Sequence, residues 1–165
     1  MPHDHIAALT KGYRLKEHVI ERVLGQGAFG ITYLALDSNL NSWVAIKEYL
    51  PDDLAVRDRH STVIPKSSAS RPSYLWGLER FLSEAQTVAR FNHPNIVRVL
   101  RLMRENGTAY IVMPYERGRS LADHLQRLGR PLREGEMLAL LRPLLDGLAA
   151  VHAEDVLQAL KDLSA

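Results

Sequence analysis

The chain has no cysteine, which excludes disulfides, thiolate chemistry and cysteine-based zinc sites. Net charge is also scarce. Lys and Arg number 21 against 19 Asp and Glu, leaving +2, too small an imbalance to argue for nucleic acid or an anionic membrane surface as a partner. Arg98, Arg101 and Arg104 form a short basic run, read as the solvated face of a strand or loop. No apolar run approaches the ~18 residues that a membrane-spanning helix needs. The start, Met1-Pro2-His3-Asp4-His5, lacks the basic and apolar segments of a secretion signal. His3 and His5 are metal-ligand types, but a frayed terminus is the preferred reading. The expectation is a cytoplasmic protein with no nucleic-acid or membrane partner.

What is present suffices for one domain with a core: 165 residues, 46% of them hydrophobic. Residues 19–50 read as three strands joined by short turns. Val19-Ile20 and Val23-Leu24 lead into a glycine turn, and Ile31-Thr32-Tyr33-Leu34-Ala35 leaves it. In 43–49, Val44, Ile46 and Glu48 alternate with Ala45 and Lys47, a period of two. Residues 51–72, rich in proline and serine, read as an insertion loop with a small hairpin around Ala55-Val56 and Thr62-Val63-Ile64. Ser73 is placed to cap a helix over 74–91, with Leu75, Leu78, Leu82, Ala85 and Ala89 on one face. Asn92-His93-Pro94-Asn95 ends it. A fourth strand is expected over 96–103 and a fifth over 108–113, joined by an Asn106-Gly107 turn.

After Pro114 the pattern becomes helical. Ser120 caps a short helix to Leu128. A longer one over 132–152 carries apolar residues at 137, 138, 141, 144, 145, 148 and 151, with Pro143 placed to kink it. Residues 156–165 are again helix-like.

The residues that carry chemistry begin with Gly25, Gly27 and Gly30 in Gly-Gln-Gly-Ala-Phe-Gly. A GxGxxG run also occurs in dinucleotide-binding folds, where it opens a helix. Here Ile-Thr-Tyr-Leu follows, which favours a hairpin tip lying over phosphates; a merely tight turn is the alternative. Without Cβ atoms, backbone N–H groups approach a phosphate closely. Lys47, 17 residues after Gly30, sits on a strand that pairs with the loop's strands, where an ammonium can reach phosphates. Glu84, mid-helix, is the candidate carboxylate to hold it. The alternatives are a surface strand lysine and a solvated helical glutamate.

Taken together, the glycine loop, Val44-Ala45-Ile46-Lys47, Glu84 and His93-Pro94-Asn95-Ile96-Val97, in this order and spacing, resemble the N-terminal lobe of a bacterial Ser/Thr protein kinase. The resemblance covers roughly 13–157, and Ile46-Lys47-Glu48-Tyr49-Leu50-Pro51 is similar to a bacterial subgroup with an insertion before the helix. It implies an α+β fold: a five-stranded antiparallel sheet with one regulatory helix, then two or three helices of a second lobe. The implied organisation is a disordered N-terminus over 1–12, a lobe over 13–113 with its insertion at 51–72, a hinge at 114–119, and partial second-lobe helices over 120–165.

The resemblance further implies that Gly25, Gly27 and Gly30 cover the phosphates of ATP and that Lys47 pairs with Glu84. Leu24, Thr32 and Ala45 would line the adenine pocket, with Met113 behind it. Pro114, Tyr115 and Glu116 would form the hinge, where Pro114 departs from the usual acidic residue and lacks the N–H. Ser120 falls where ribose is contacted. The helix leading to the catalytic loop resembles Leu148 to Leu157, but Gln158-Ala159-Leu160-Lys161-Asp162-Leu163-Ser164-Ala165 follows where the family has His-Arg-Asp and later Asp-Phe-Gly. Asp155 and Asp162 do not match those contexts. The expectations are weak ATP binding, no magnesium held by the chain, and no phosphoryl transfer by these residues alone. The leucine stripe of 132–152 suggests self-association or a protein partner. Three functions stay open: a kinase cut short by a frame disruption, a standalone nucleotide-binding pseudokinase regulator, and an interaction module that binds no nucleotide.

Overall fold

The computed structural model describes residues 8–163, with side chains described as far as Ala153. The expectations for His3, His5, Asp155 and Asp162 fall outside those residues and side chains. The chain divides into two compact units, one of residues up to 90 together with 98–115, the other of 91–97 and 116 onward.

The first unit is built on an antiparallel sheet. Its strands are β1 (Arg14–Leu15), β2 (His18–Gly27), β3 (Gly30–Asp37), β4 (Ser42–Tyr49), β7 (Arg101–Glu105) and β8 (Thr108–Pro114), in the order β1-β2-β3-β4-β8-β7. The sheet has six strands rather than the expected five, because the chain before β2 folds back as β1, pairing Arg14 with Val19 and Leu15 with His18. The expected disorder over 1–12 does not extend to Leu9. It is 4% exposed, in the core, and its N–H donates to the Tyr33 hydroxyl at 3.1 Å. Two strands in the insertion, β5 (Ala55–Arg57) and β6 (Val63–Pro65), form the expected small hairpin as a separate sheet. Asp58 shapes its turn, its Oδ1 accepting from the N–H groups of His60 and Thr62.

Period-two alternation explains how the sheet buries itself. One face carries Ile31, Tyr33 and Ala35 from β3, Val44, Ile46 and Glu48 from β4, and Tyr110 and Val112 from β8, all buried. Ala55 and Val63 of the hairpin join the same core.

Helix α1 spans Arg71–Val88. It starts before the expected Ser73 because Pro72 fits its first turn, where no N–H is needed. Ser70 occupies the cap position, but its hydroxyl bonds Ser67 instead of the helix. The buried face is Tyr74, Leu78, Phe81, Leu82 and Ala85, whereas Leu75, expected inside, is 46% exposed. The strand expected from Ile96 starts only at Arg101. Residues 92–96 are spent on a turn, with the Asn95 N–H donating to His93 Nδ1 and the Ile96 N–H to the His93 carbonyl.

In the second unit, α2 (Leu121–Leu128) starts as expected, with Ser120 Oγ accepting from the Asp123 N–H at 3.1 Å, and ends at Gly129 in a left-handed conformation. Helix α3 (Glu134–Leu163) is continuous through both stretches expected to be separate helices, with Pro143 inside it. Glu136 reaches back to the Arg133 N–H and pairs with Arg130, the glutamate half of a capping box. The Arg130 hydrogen bond and the Arg133 N–H hold its carboxyl down to about 2. Asn95 and His93 both meet Asp146 of α3, at 3.0 and 3.3 Å.

Candidate functional site

The glycine turn joins β2 to β3, with Gly27 paired to Gly30 and Ala28-Phe29 at the tip. Gly30 has φ +150°, and a Cβ there would stand 1.8 Å from the Glu48 carbonyl oxygen. No other residue fits, because β4 passes directly behind it. The Leu50 N–H donates to the Phe29 carbonyl at 3.1 Å, so the tip is tied to the end of β4. Gly25 and Gly27 meet no such obstruction and are exposed. Leu24 lies at a register shift between Val23 and Gly25 and is half-buried.

On the sheet face opposite Glu48 stand the other expected residues. Thr32 is paired with Lys47, and Ala45, two residues before Lys47, is paired with Met113. Thr32, Ala45 and Met113 are half-buried, an apolar floor of small and medium side chains beside one exposed cation. Pro114 ends β8 and Tyr115 follows it in the first unit, while Glu116 and Ser120 belong to the second. The Ser120 hydroxyl is engaged in capping α2.

Lys47 and Glu84 line one cavity of about 880 Å³. Its walls are the tip residue Phe29, Tyr49 of β4, Pro51, Asp53 and Leu54 at the start of the insertion, and Trp76, Arg80 and Phe81 of α1. The expected Lys47–Glu84 ion pair is not formed; among the described residues Lys47 makes no ion pair. Its ammonium lies 5.9 Å from the centroid of Phe81 instead, a cation–π contact with the residue one turn before Glu84. Gly77 lets α1 approach β4 closely: a Cβ there would be 2.2 Å from the Tyr49 hydroxyl, which donates to the Tyr74 carbonyl. Burial pushes the Tyr49 phenol up to about 12. Leu24, Ala45 and Met113 do not line this cavity.

The description "Protein kinase domain" matches residues 18–162. The chain belongs to the protein kinase family. It is 30% identical over 141 residues to the serine/threonine-protein kinase PrkC of Bacillus subtilis (strain 168), a match covering 83% of this chain and 18% of PrkC. Among solved structures, the apo form of PpkA-294 superposes with a TM-score of 0.71 at 37% identity, over 73% of this chain and 43% of that one. The PknI kinase domain of M. tuberculosis superposes with a TM-score of 0.65 at 25% identity, over 89% of this chain and 52% of that one. The chain thus spans about half or less of the proteins it matches.

One group in this kinase lobe escaped the sequence reading. Glu48 is 0% exposed. The hydroxyls of Tyr33 and Tyr110 each donate to its carboxylate at 2.7 Å, and the Arg57 guanidinium forms an ion pair with it. Burial first, then the negative charge of Glu48, pushes both phenols far above their ordinary range, so they remain donors. Burial pulls Arg57 down, but its hydrogen bond and charge contact with Glu48 outweigh that and keep the guanidinium firmly protonated. The sequence signal was an acid in the apolar period of Val44 and Ile46, followed by an arginine in a hairpin with apolar neighbours. Tyr110→Phe removes a donor to a buried carboxylate and an acceptor for the Asn106 amide. Urea unfolding is expected to show a loss of ~1.5–3 kcal/mol. A change below ~0.5 kcal/mol would mean that Glu48 does not depend on this phenol.

Proposed function

We propose that this chain carries the nucleotide-holding part of a Ser/Thr protein kinase and takes ATP on the sheet face that bears Lys47. The observation that carries this is the grouping of Lys47 with Thr32, Ala45 and Met113 on one half-buried face, behind a glycine turn closed against β4 by Gly30. The donor set fits the ligand. The exposed backbone of Gly25 and Gly27 can meet phosphate oxygens, and among the described residues no carboxylate stands within ion-pair distance of Lys47. Ala45 and Met113, with Leu24 at the bulge, offer the adenine a flat apolar seat. Backbone groups of Pro114 and Tyr115 would meet its edge, with Pro114 supplying only a carbonyl.

ATP contributes the transferable phosphoryl group; the residues named here bind and orient it. Phosphoryl transfer needs metal-held phosphates and a group orienting the acceptor hydroxyl, and none of the residues named here supplies either. The reading is therefore of weak ATP binding, little changed by magnesium, with no transfer by these residues alone. Calorimetric titration is expected to show Lys47→Met lowering ATP affinity about tenfold or more while adenosine affinity holds. Equal ATP affinity in the two proteins, or sub-micromolar magnesium-dependent binding, would overturn the reading.

A protein-binding role is favoured by a separate observation. Met137, Leu140, Leu141, Leu144, Leu145 and Leu148 of α3 are all exposed, and each leucine forgoes part of the ~1.5–3 kcal/mol that full burial gives. Sedimentation of the chain is expected to show concentration-dependent self-association, which Leu144→Asp with Leu145→Asp abolishes. A compact monomer at all concentrations would count against it.

A further inference from the structure

Arg57 belongs to the inserted hairpin, yet its guanidinium is buried against Glu48, the residue next to Lys47. Successive residues of a strand point to opposite faces. Lys47 and Glu48 are therefore the two ends of one short lever through β4: whatever fixes the Glu48 carboxylate behind the sheet fixes the root of the Lys47 side chain in front of it.

The place of this contact matters. β4 is paired on one side with β3 as far as Tyr49, but its ladder with β8 ends at Glu48 and Tyr110. Beyond that point the strand turns out into the insertion at Pro51. The clamp thus acts where backbone pairing on one side has run out. It is also where the Glu48 carbonyl backs Gly30 and the Leu50 N–H holds the glycine-turn tip.

The hairpin that delivers Arg57 is itself held rigidly. The Val63 N–H donates to the Asn106 carbonyl at 2.7 Å, and Arg57 also donates to the Ser61 carbonyl at 2.9 Å. Asn106 in turn donates to the Tyr110 hydroxyl, which donates to Glu48. The hairpin and the β7–β8 turn therefore close a ring of bonds on the same carboxylate.

We infer that Arg57 is a positioning residue: from the inserted hairpin it clamps Glu48 and, through β4, sets where the Lys47 ammonium stands. The functional part of this rests on the nucleotide reading above; the positional part does not. A purely structural role would cost stability without moving Lys47.

The test is the pair of substitutions Glu48→Gln with Arg57→Met, which removes both charges together and leaves a neutral amide for the two phenols. In the unaltered chain the Lys47 side-chain resonance, assigned with Lys47→Arg, is expected upfield of the exposed Lys11 and Lys66, because it lies over the Phe81 ring. In the double variant, with folding verified by near-UV circular dichroism, it is expected to move toward them. The ratio of ATP to adenosine affinity is expected to fall about tenfold, with adenosine unchanged. Arg57→Lys, which keeps the charge but loses the fork, should shift the resonance in the same direction by less. An unmoved Lys47 resonance in the folded double variant or in Arg57→Lys overturns the inference. Absence of ATP binding by the unaltered chain defeats the nucleotide reading instead, and the Lys47 resonance still decides whether Arg57 positions it.

Discussion

A carboxylate with no solvent exposure organises this lobe. Moving an ion out of water costs several kcal/mol even after the protein relaxes, so Glu48 is tolerable only because Tyr33, Tyr110 and Arg57 converge on it. Those three partners come from β3, β8 and the inserted hairpin. Glu48 is thus where the central strands and the insertion become one structure. Net stabilisation from such a buried pair is small. Its larger consequence is register: a slip of one residue in β4 would carry Lys47 into the core and Glu48 out of it, taking the carboxylate away from both phenols and from Arg57.

The same alternation that buries Glu48 presents Lys47. The lysine stands on the half-buried face with Thr32, Ala45 and Met113, and its ammonium rests against Phe81 rather than Glu84. The cavity that both charged residues line is walled by α1 on one side and by Pro51, Asp53 and Leu54 of the insertion on another. Tyr49 and Gly77 set how near α1 comes, since a Cβ at 77 would displace the Tyr49 hydroxyl. The insertion therefore shapes this end of the lobe from both faces, through Leu54 in front and Arg57 behind.

Much of this was legible in the residues themselves. Alternation in β3 and β4, the glycine turn, the Asn106-Gly107 turn, the hairpin within 51–72 and the Ser120 cap are local signals, and local structure followed them. Most of the misreadings have a different cause: they were settled by contacts distant in sequence. Leu9 is ordered because Tyr33 receives its N–H, 24 residues away. The face of α1 includes Tyr74 and Phe81 because Tyr49 packs at a tilt against both rings, with centroids at 5.4 and 5.5 Å. Pro72 looked like a boundary, yet the first turn of a helix accepts proline. Glu48 was assigned to the correct face, but no periodicity could name its partners, two of them on other strands and one in the insertion.

The account stands on Glu48 and Arg57 acting as a unit, and a double-mutant cycle on unfolding free energy measures that directly. Glu48→Gln and Arg57→Met should each destabilise the chain markedly, since each alone removes the opposite charge from a buried ion, whereas the double variant should be less destabilised than the sum of the two, with a coupling of roughly 1.5–3 kcal/mol. Additivity within about 0.5 kcal/mol would mean that the two residues do not act together and that the insertion is not joined to the sheet through this carboxylate.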